Sequence, residues 1–134
     1  MDAQTLRSWI EKRGFAVSAE GEHTLKVAWT ADFAVQKPLP PLFVQVAENW
    51  VVLSVLAVEI APAYALVGLA RALLAFNRKI PLAKFAFGQN DETILCAELP
   101  TESLDEPELM GTVETLLDAL RSYGAYGPMP RESE

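Results

Sequence analysis

The sequence predicts an α+β fold, an antiparallel sheet with helices packed on one face, in the order α-β-β-β-α-β-β-α. Three observations lead there. Pairs of β-rich runs are joined by short polar turns, the mark of hairpins and therefore of antiparallel pairing. Segments with apolar residues at helical spacing lie before, between and after those pairs. The chain has 134 residues, 51% hydrophobic and 22% charged, enough for one domain to bury a core without disulfides or metals.

The first helix is expected over Gln4–Arg13, where Leu6, Trp9, Ile10 and Arg13 share a helical spacing. Asp2 or Thr5 can cap its start, and Gly14 supplies the residue after its end. Phe15–Trp29 reads as extended: Leu25, Val27 and Trp29 alternate with Lys26 and Ala28, and the turn-like Ala19-Glu20-Gly21-Glu22 interrupts the run. Lys37-Pro38-Leu39-Pro40-Pro41 cannot be a central strand, because its prolines lack an N–H; it is a polyproline-like connection or a strand edge. Leu42–Ala47 and Trp50–Val58 form a hairpin about Glu48-Asn49, since Asn tolerates the left-handed backbone of tight turns. The second helix covers Tyr64–Asn77, with Pro62 just before its first turn and Lys79-Ile80-Pro81 stopping it. Leu82–Phe87 and Thr93–Leu99 make a second hairpin, with Phe85 and Phe87 on one face. The last helix has Asp105 as N-cap and Glu108 completing a capping box. Leu104 and Leu109 hold the hydrophobic-staple positions, and Pro107 sits in the first turn. Its apolar stripe is Leu109, Val113, Leu116, Leu117, Leu120 and Tyr123. Residues 1–123 form a single domain, and 124–134, without periodicity, a loosely held tail.

Charge narrows the partners. The net charge is −7, and residues 90–134 carry eleven acidic side chains against Arg121 and Arg131. Direct nucleic-acid binding wants a basic face and is not expected. The one basic cluster, Arg71, Arg78, Lys79 and Lys84, reads as a solvated helix end or as a contact for an acidic partner. Met1-Asp2-Ala3-Gln4 has no signal-peptide character. Trp50–Ala70 runs 21 residues with Glu59 as its only charge. Glu59, Pro62 and the switch from Val-rich to Ala/Leu-rich composition fit a strand followed by a helix better than a membrane span. A soluble cytoplasmic protein with no membrane contact is expected.

Catalytic chemistry finds little to work with. Single His23 and single Cys96 exclude a His cluster, an internal disulfide and a CxxC site. No phosphate-binding glycine loop or Gly-x-Ser-x-Gly elbow occurs. Glu59 and Glu98 are the only carboxylates in apolar surroundings, and their ordinary reading is an outward or ion-paired side chain. Cys96, between Leu95 and Ala97, reads as a small buried hydrophobe. No catalytic residue, cofactor or metal is expected.

Two features point instead to surfaces. On the second helix, Leu66, Leu69, Ala70, Leu73 and Phe76 share one broad face; Ala65, Gly68, Ala72 and Ala75 form a second, small-residue face; Tyr64, Val67, Arg71, Leu74 and Arg78 fill a mixed sector. A second apolar face implies a second neighbour: another copy in a homodimer, or the chain's own tail or first helix. In the long strand, Trp50, Val52, Ser54 and Leu56 alternate with Val51, Leu53 and Val55, and both faces are largely apolar. Only one can pack on the domain's helices, so the other is left for a second subunit or partner, with Trp50 and Phe43 as anchors. The interface set is Phe43, Trp50, Val52, Ala65, Gly68, Arg71, Ala72 and Ala75.

The element order, with Leu73-Leu74-Ala75-Phe76-Asn77-Arg78-Lys79-Ile80-Pro81-Leu82-Ala83-Lys84-Phe85 at the helix-to-strand junction, resembles the bacterial YbjN-like family and the type III secretion chaperone-like (Tir chaperone-like) fold. Ala97-Glu98-Leu99-Pro100, Leu104-Asp105, and Trp9-Ile10-Glu11 through Gly14-Phe15 are similar too. The resemblance covers about residues 4–123 and departs from the family pattern at the Pro-rich segment 37–41. It implies a homodimeric, non-enzymatic protein-binding domain linked to regulation and stress responses, with no catalytic residues. Two readings stand: a chaperone-like or adaptor domain acting on another cytoplasmic protein, or a small ligand-binding domain or enzyme with a pocket between sheet and helices. Glu59 or Glu98 in such a pocket with a shifted pKa would favour the second.

Overall fold

The computed structural model describes residues 1–29, 39–56, 58, 66–90 and 92–123, with residues 66 and 67 described by their backbone alone. Helix α1, Ala3–Lys12, starts where Asp2 accepts the Thr5 N–H at 2.8 Å, and Gly14 follows its end at φ 93°. That left-handed backbone carries no penalty for glycine. Strands β1 (Ala16–Ala19) and β2 (Thr24–Ala28) come next, so the extended Phe15–Trp29 stretch folds back on itself and adds one strand to the expected order. The physical reason is the polar turn Glu20–His23, closed by a Glu20 N–H···O Thr24 bond of 2.9 Å.

Of the Pro-rich segment, Lys37 and Pro38 lie outside the described residues. The Pro40 carbonyl accepts the Trp29 indole N–H at 2.7 Å, while Leu39 packs on the core. The β3–β4 hairpin (Leu42–Ala47, Trp50–Val55) turns at Glu48-Asn49. Glu48, not Asn49, takes the positive φ, 24°. Helix α2 (Leu66–Asn77), β5 (Ala83–Phe87), β6 (Thr93–Pro100) and α3 (Glu106–Tyr123) complete the chain. Asp105 caps α3 by accepting the Glu108 N–H at 2.9 Å.

The six strands form one antiparallel sheet in the order β1-β2-β3-β4-β6-β5. Every strand sends alternate residues to one face, where Val27, Leu42, Val44, Val51, Leu53, Val55 and Leu95 are fully buried beneath α1 and α3. Leu6 and Ile10 of α1 and Leu109, Val113, Leu116 and Leu120 of α3 close that core. α1 is joined to α3 by ion pairs from Lys12 and Arg13 to Glu106 and from Arg13 to Glu114. α2 lies beside β5, held by Phe76, whose ring meets Phe85 edge-on at 6.0 Å and stacks on Tyr123 at 4.5 Å. No helix among the described residues is long and apolar enough to cross a membrane.

Candidate functional site

The opposite face of the sheet carries no helix of the described chain. Strand register sets its residues in rows: Ser18, Lys26, Phe43, Ser54, Cys96 and Lys84 lie across the sheet, and beside them Thr24, Gln45, Val52 and Glu98. A further row places Ala47, Trp50 and Pro100 together. Trp50 is 47% exposed and Leu56 44%, whereas Phe43, Val52, Ile94 and Cys96 are half-buried by their neighbours. The face is mixed: Phe43, Val52, Ile94, Cys96, Trp50 and Leu56 stand among Ser18, Thr24, Gln45 and Ser54, with charge at Lys26, Glu98 and Lys84. Antiparallel sheets with one free face normally turn polar residues outward. This one does so in part, and leaves Trp50 and Leu56 exposed beside them.

α2 sorts its faces by what it packs against. Leu73 is buried and Leu69 and Phe76 are partly buried, so they form the inward side. Ala70, which helical spacing placed with them, is exposed. Gly68 and Ala72 are half-buried flanking positions, Arg71, Leu74, Ala75 and Arg78 are exposed, and Ala65 lies outside the described residues. The outward face is thus the mixed sector rather than the small-residue one. Leu74 at its middle is 67% exposed.

The candidate chemical groups do not converge. Glu98 is exposed on the open sheet face, His23 is exposed in the β1–β2 turn 3.9 Å from Glu22, and Glu59 lies outside the described residues. Cys96 is half-buried on the open face rather than in the core. Burial, and then the nearby Glu98 charge, pushes its thiol pKa up, the opposite of what a nucleophile needs. Two of the cavities lie among the described residues. One of about 220 Å³ lies between the α2–β5 connection and α3, lined by Lys79, Ile80, Asp118, Ser122 and Tyr123. The other, about 370 Å³, lies between α1 and the β1–β2 turn. Glu98 lines neither. Among the described residues no group of His, Cys, Asp and Glu is placed to hold a metal ion.

No protein-family model matches the chain, and no curated protein does. Solved structures do. YbjN from E. coli superposes with a TM-score of 0.61 over 90% of this chain and 86% of that one, at 19% identity. The structure of Yersinia pestis type III secretion chaperone SycH with a fragment of YscM2 gives 0.57 over 88% and 95%, at 18% identity. The fold is that of YbjN and the type III secretion chaperones. The heterodimeric ExoU–SpcU complex of Pseudomonas aeruginosa matches as well, with a TM-score of 0.56 over 85% and 87% and 20% identity.

In this chaperone-like sheet the outer edges matter as much as the face. β5 is one edge, and its ladder with β6 alternates from the Gly88 N–H···O Glu92 bond, which leaves the N–H and C=O of Phe85 pointing away from β6. Both are taken by one side chain: Asn77 Oδ1 accepts the Phe85 N–H at 2.7 Å, and Asn77 Nδ2 donates to the Phe85 carbonyl at 3.0 Å. The carboxamide occupies the place of a neighbouring strand. Ala83 N–H is satisfied locally by Pro81 O at 2.7 Å. At the other edge, Arg7 Nη2 donates to the Val17 carbonyl of β1 at 3.0 Å. Edges closed by side chains resist pairing with another chain. Sequence reasoning missed this device, because Asn at a helix end reads only as a turn residue.

Proposed function

We propose that this protein is a non-enzymatic, homodimeric protein-binding domain of the chaperone or adaptor kind, acting on another cytoplasmic protein in a stress response. The observation that carries the reading is the open sheet face, where Trp50 is exposed beside half-buried Val52 and Phe43 and no helix of the described residues covers them. Large apolar side chains left exposed among polar ones mark an interaction surface. The fold shared with chaperones seen in complexes supports a protein as the thing bound.

We assign self-association to the sheet face. Lys26 on β2 and Glu98 on β6 flank the β3–β4 centre on opposite sides. A two-fold axis along the strands between β3 and β4 brings Lys26 of each copy toward Glu98 of the other, so the rim becomes complementary while Trp50, Phe43 and Val52 are covered. Gly68, Arg71, Ala72 and Ala75 of α2 make the second surface; Ala65, expected with them from the sequence, lies outside the described residues. The half-closed sheet edges favour docking onto a face over strand addition.

Light scattering tests the reading. The wild type should have a mass near twice 14.7 kDa, and Trp50→Ala should lower it toward the monomer with little change in thermal midpoint. A wild type that stays monomeric at micromolar concentration rejects the dimer.

A further inference from the structure

We infer that the outward stripe of α2 and the turn that follows it, formed by Arg71, Leu74, Ala75 and Arg78, is a docking site for an acidic amphipathic helix of a partner protein. The inference takes from the proposed function only that a protein partner exists. Arg71 on α2 and Arg78, the first residue past its end, are both exposed, and Leu74 between them is 67% exposed. Ala75, also exposed, keeps the space beside Leu74 shallow, so a facing backbone can approach.

Charge decides the occupant. The chain carries 18 acidic residues against 11 basic ones, so a basic side chain has abundant partners nearby. Arg7 pairs with Glu11, and Arg13 with Glu106 and Glu114. Arg121 has an interaction of its own. Lys84 turns its Nζ to the Asn77 and Ile80 carbonyls at 3.2 Å each, capping the end of α2, and exposed Lys79 adds to the charge beside Arg78. Arg71 and Arg78 form no ion pair or hydrogen bond among the described residues. Arg71 and Arg78, on either side of an exposed leucine and with Lys79 beside Arg78, form a cationic strip that is unpaired among the described residues and complementary to a segment with an apolar strip edged by carboxylates.

A second copy does not satisfy the same stripe. Antiparallel pairing of two α2 helices about Leu74–Ala75 sets Arg71 of each opposite Arg78 of the other, and α2 itself, LVGLARALLAFN, has no acidic residue to offset the repulsion. Like charges placed across an interface select against that pairing.

The probe is a labelled synthetic helix of about 18 residues, five turns, with Leu at i, i+3, i+4 and i+7 and Glu on both flanks. Its control carries Lys in place of every Glu. Fluorescence anisotropy is measured against the wild type, Arg71→Glu/Arg78→Glu, Leu74→Asp and Trp50→Ala, all altered at exposed positions and checked by circular dichroism. The Glu peptide should bind the wild type and the Lys peptide should not. The double charge reversal should weaken Glu-peptide binding about tenfold or more and confer binding of the Lys peptide. Added salt should weaken the wild-type complex, and Trp50→Ala should leave it unchanged. Equal binding of both peptides, no binding of the Glu peptide, or loss on Trp50→Ala instead of on the arginine changes overturns the inference. So does a fall in dimer mass on Arg71→Glu/Arg78→Glu, which assigns the stripe to a second copy. A monomeric wild type that still binds the Glu peptide rejects the sheet-face dimer and leaves this site standing.

Discussion

Replacing Asn77 by alanine removes both hydrogen bonds to Phe85 and leaves its N–H and C=O on an uncovered sheet edge. A net intramolecular hydrogen bond is worth about 0.5–1.5 kcal/mol, so two sum to about 1–3 kcal/mol. Asn77 is half-buried, and water can reach part of the freed edge. The expected loss is therefore in the lower half, about 1–2 kcal/mol, or roughly 3–8 °C in Tm for a chain of this length. Urea unfolding followed by fluorescence and circular dichroism gives the energy. Amide exchange gives the location: the Phe85 N–H should lose protection, while the Ala86 N–H, which faces β6, should keep it. Asn77→Asp retains the acceptor for the Phe85 N–H but no donor for its carbonyl, and should show higher Phe85 protection than the alanine variant. Self-association of Asn77→Ala through the opened edge should grow with concentration. A stability loss under about 0.5 kcal/mol together with unchanged Phe85 protection would refute the claim that this side chain closes the edge.

Other outcomes follow from the same structure. Leu53→Ala, at a fully buried position in the middle of β4, should cost about 2–5 kcal/mol in urea unfolding. Asp105→Ala removes the acceptor for the Glu108 N–H and should cost about 0.5–2 kcal/mol, with fraying confined to the first turn of α3 in amide exchange. Cys96 should alkylate slowly at neutral pH, because burial and Glu98 both raise its thiol pKa. The thiolate fraction falls when the pKa rises, so the rate profile should shift to higher pH, and Glu98→Gln should move it part of the way back.

Local chemistry was readable where one residue type admits one structural role. Asp105 before Glu106 and Pro107, and Gly14 after α1, marked helix ends that the structure shows at the same places. The alternation of Val51, Leu53 and Val55 with Trp50, Val52 and Ser54 set the strand's two faces, and the open one is where the candidate interface residues Phe43, Trp50 and Val52 stand. α2 was harder, because it is apolar on nearly every side and periodicity cannot rank its faces. The choice came from Phe76, which inserts between Phe85 and Tyr123 and turns Arg71, Leu74 and Arg78 outward. The Asn77–Phe85 clasp and the Arg7–Val17 contact depend on strand order, which no local pattern encodes. The Glu48-Asn49 turn shows a smaller limit: either residue can hold a positive φ, and the hairpin register gave it to Glu48.

The strand order also sets which pairings enclose a long stretch of chain. β1 through β4 are a meander in which each strand pairs with the one just made, and β5 and β6 are a hairpin of their own. Such pairings enclose shorter stretches of chain than the one that remains. The single junction between these blocks is β4 against β6, where Val51 meets Leu99, Leu53 meets Ala97 and Val55 meets Leu95. Bringing it together means closing the whole stretch that holds α2 and β5, an entropic cost that grows with the length of chain enclosed. Among the strand pairings, that seam therefore carries the largest loop-closure cost, and the buried Val51, Leu53 and Val55 that it brings against Leu95, Ala97 and Leu99 are what offsets it.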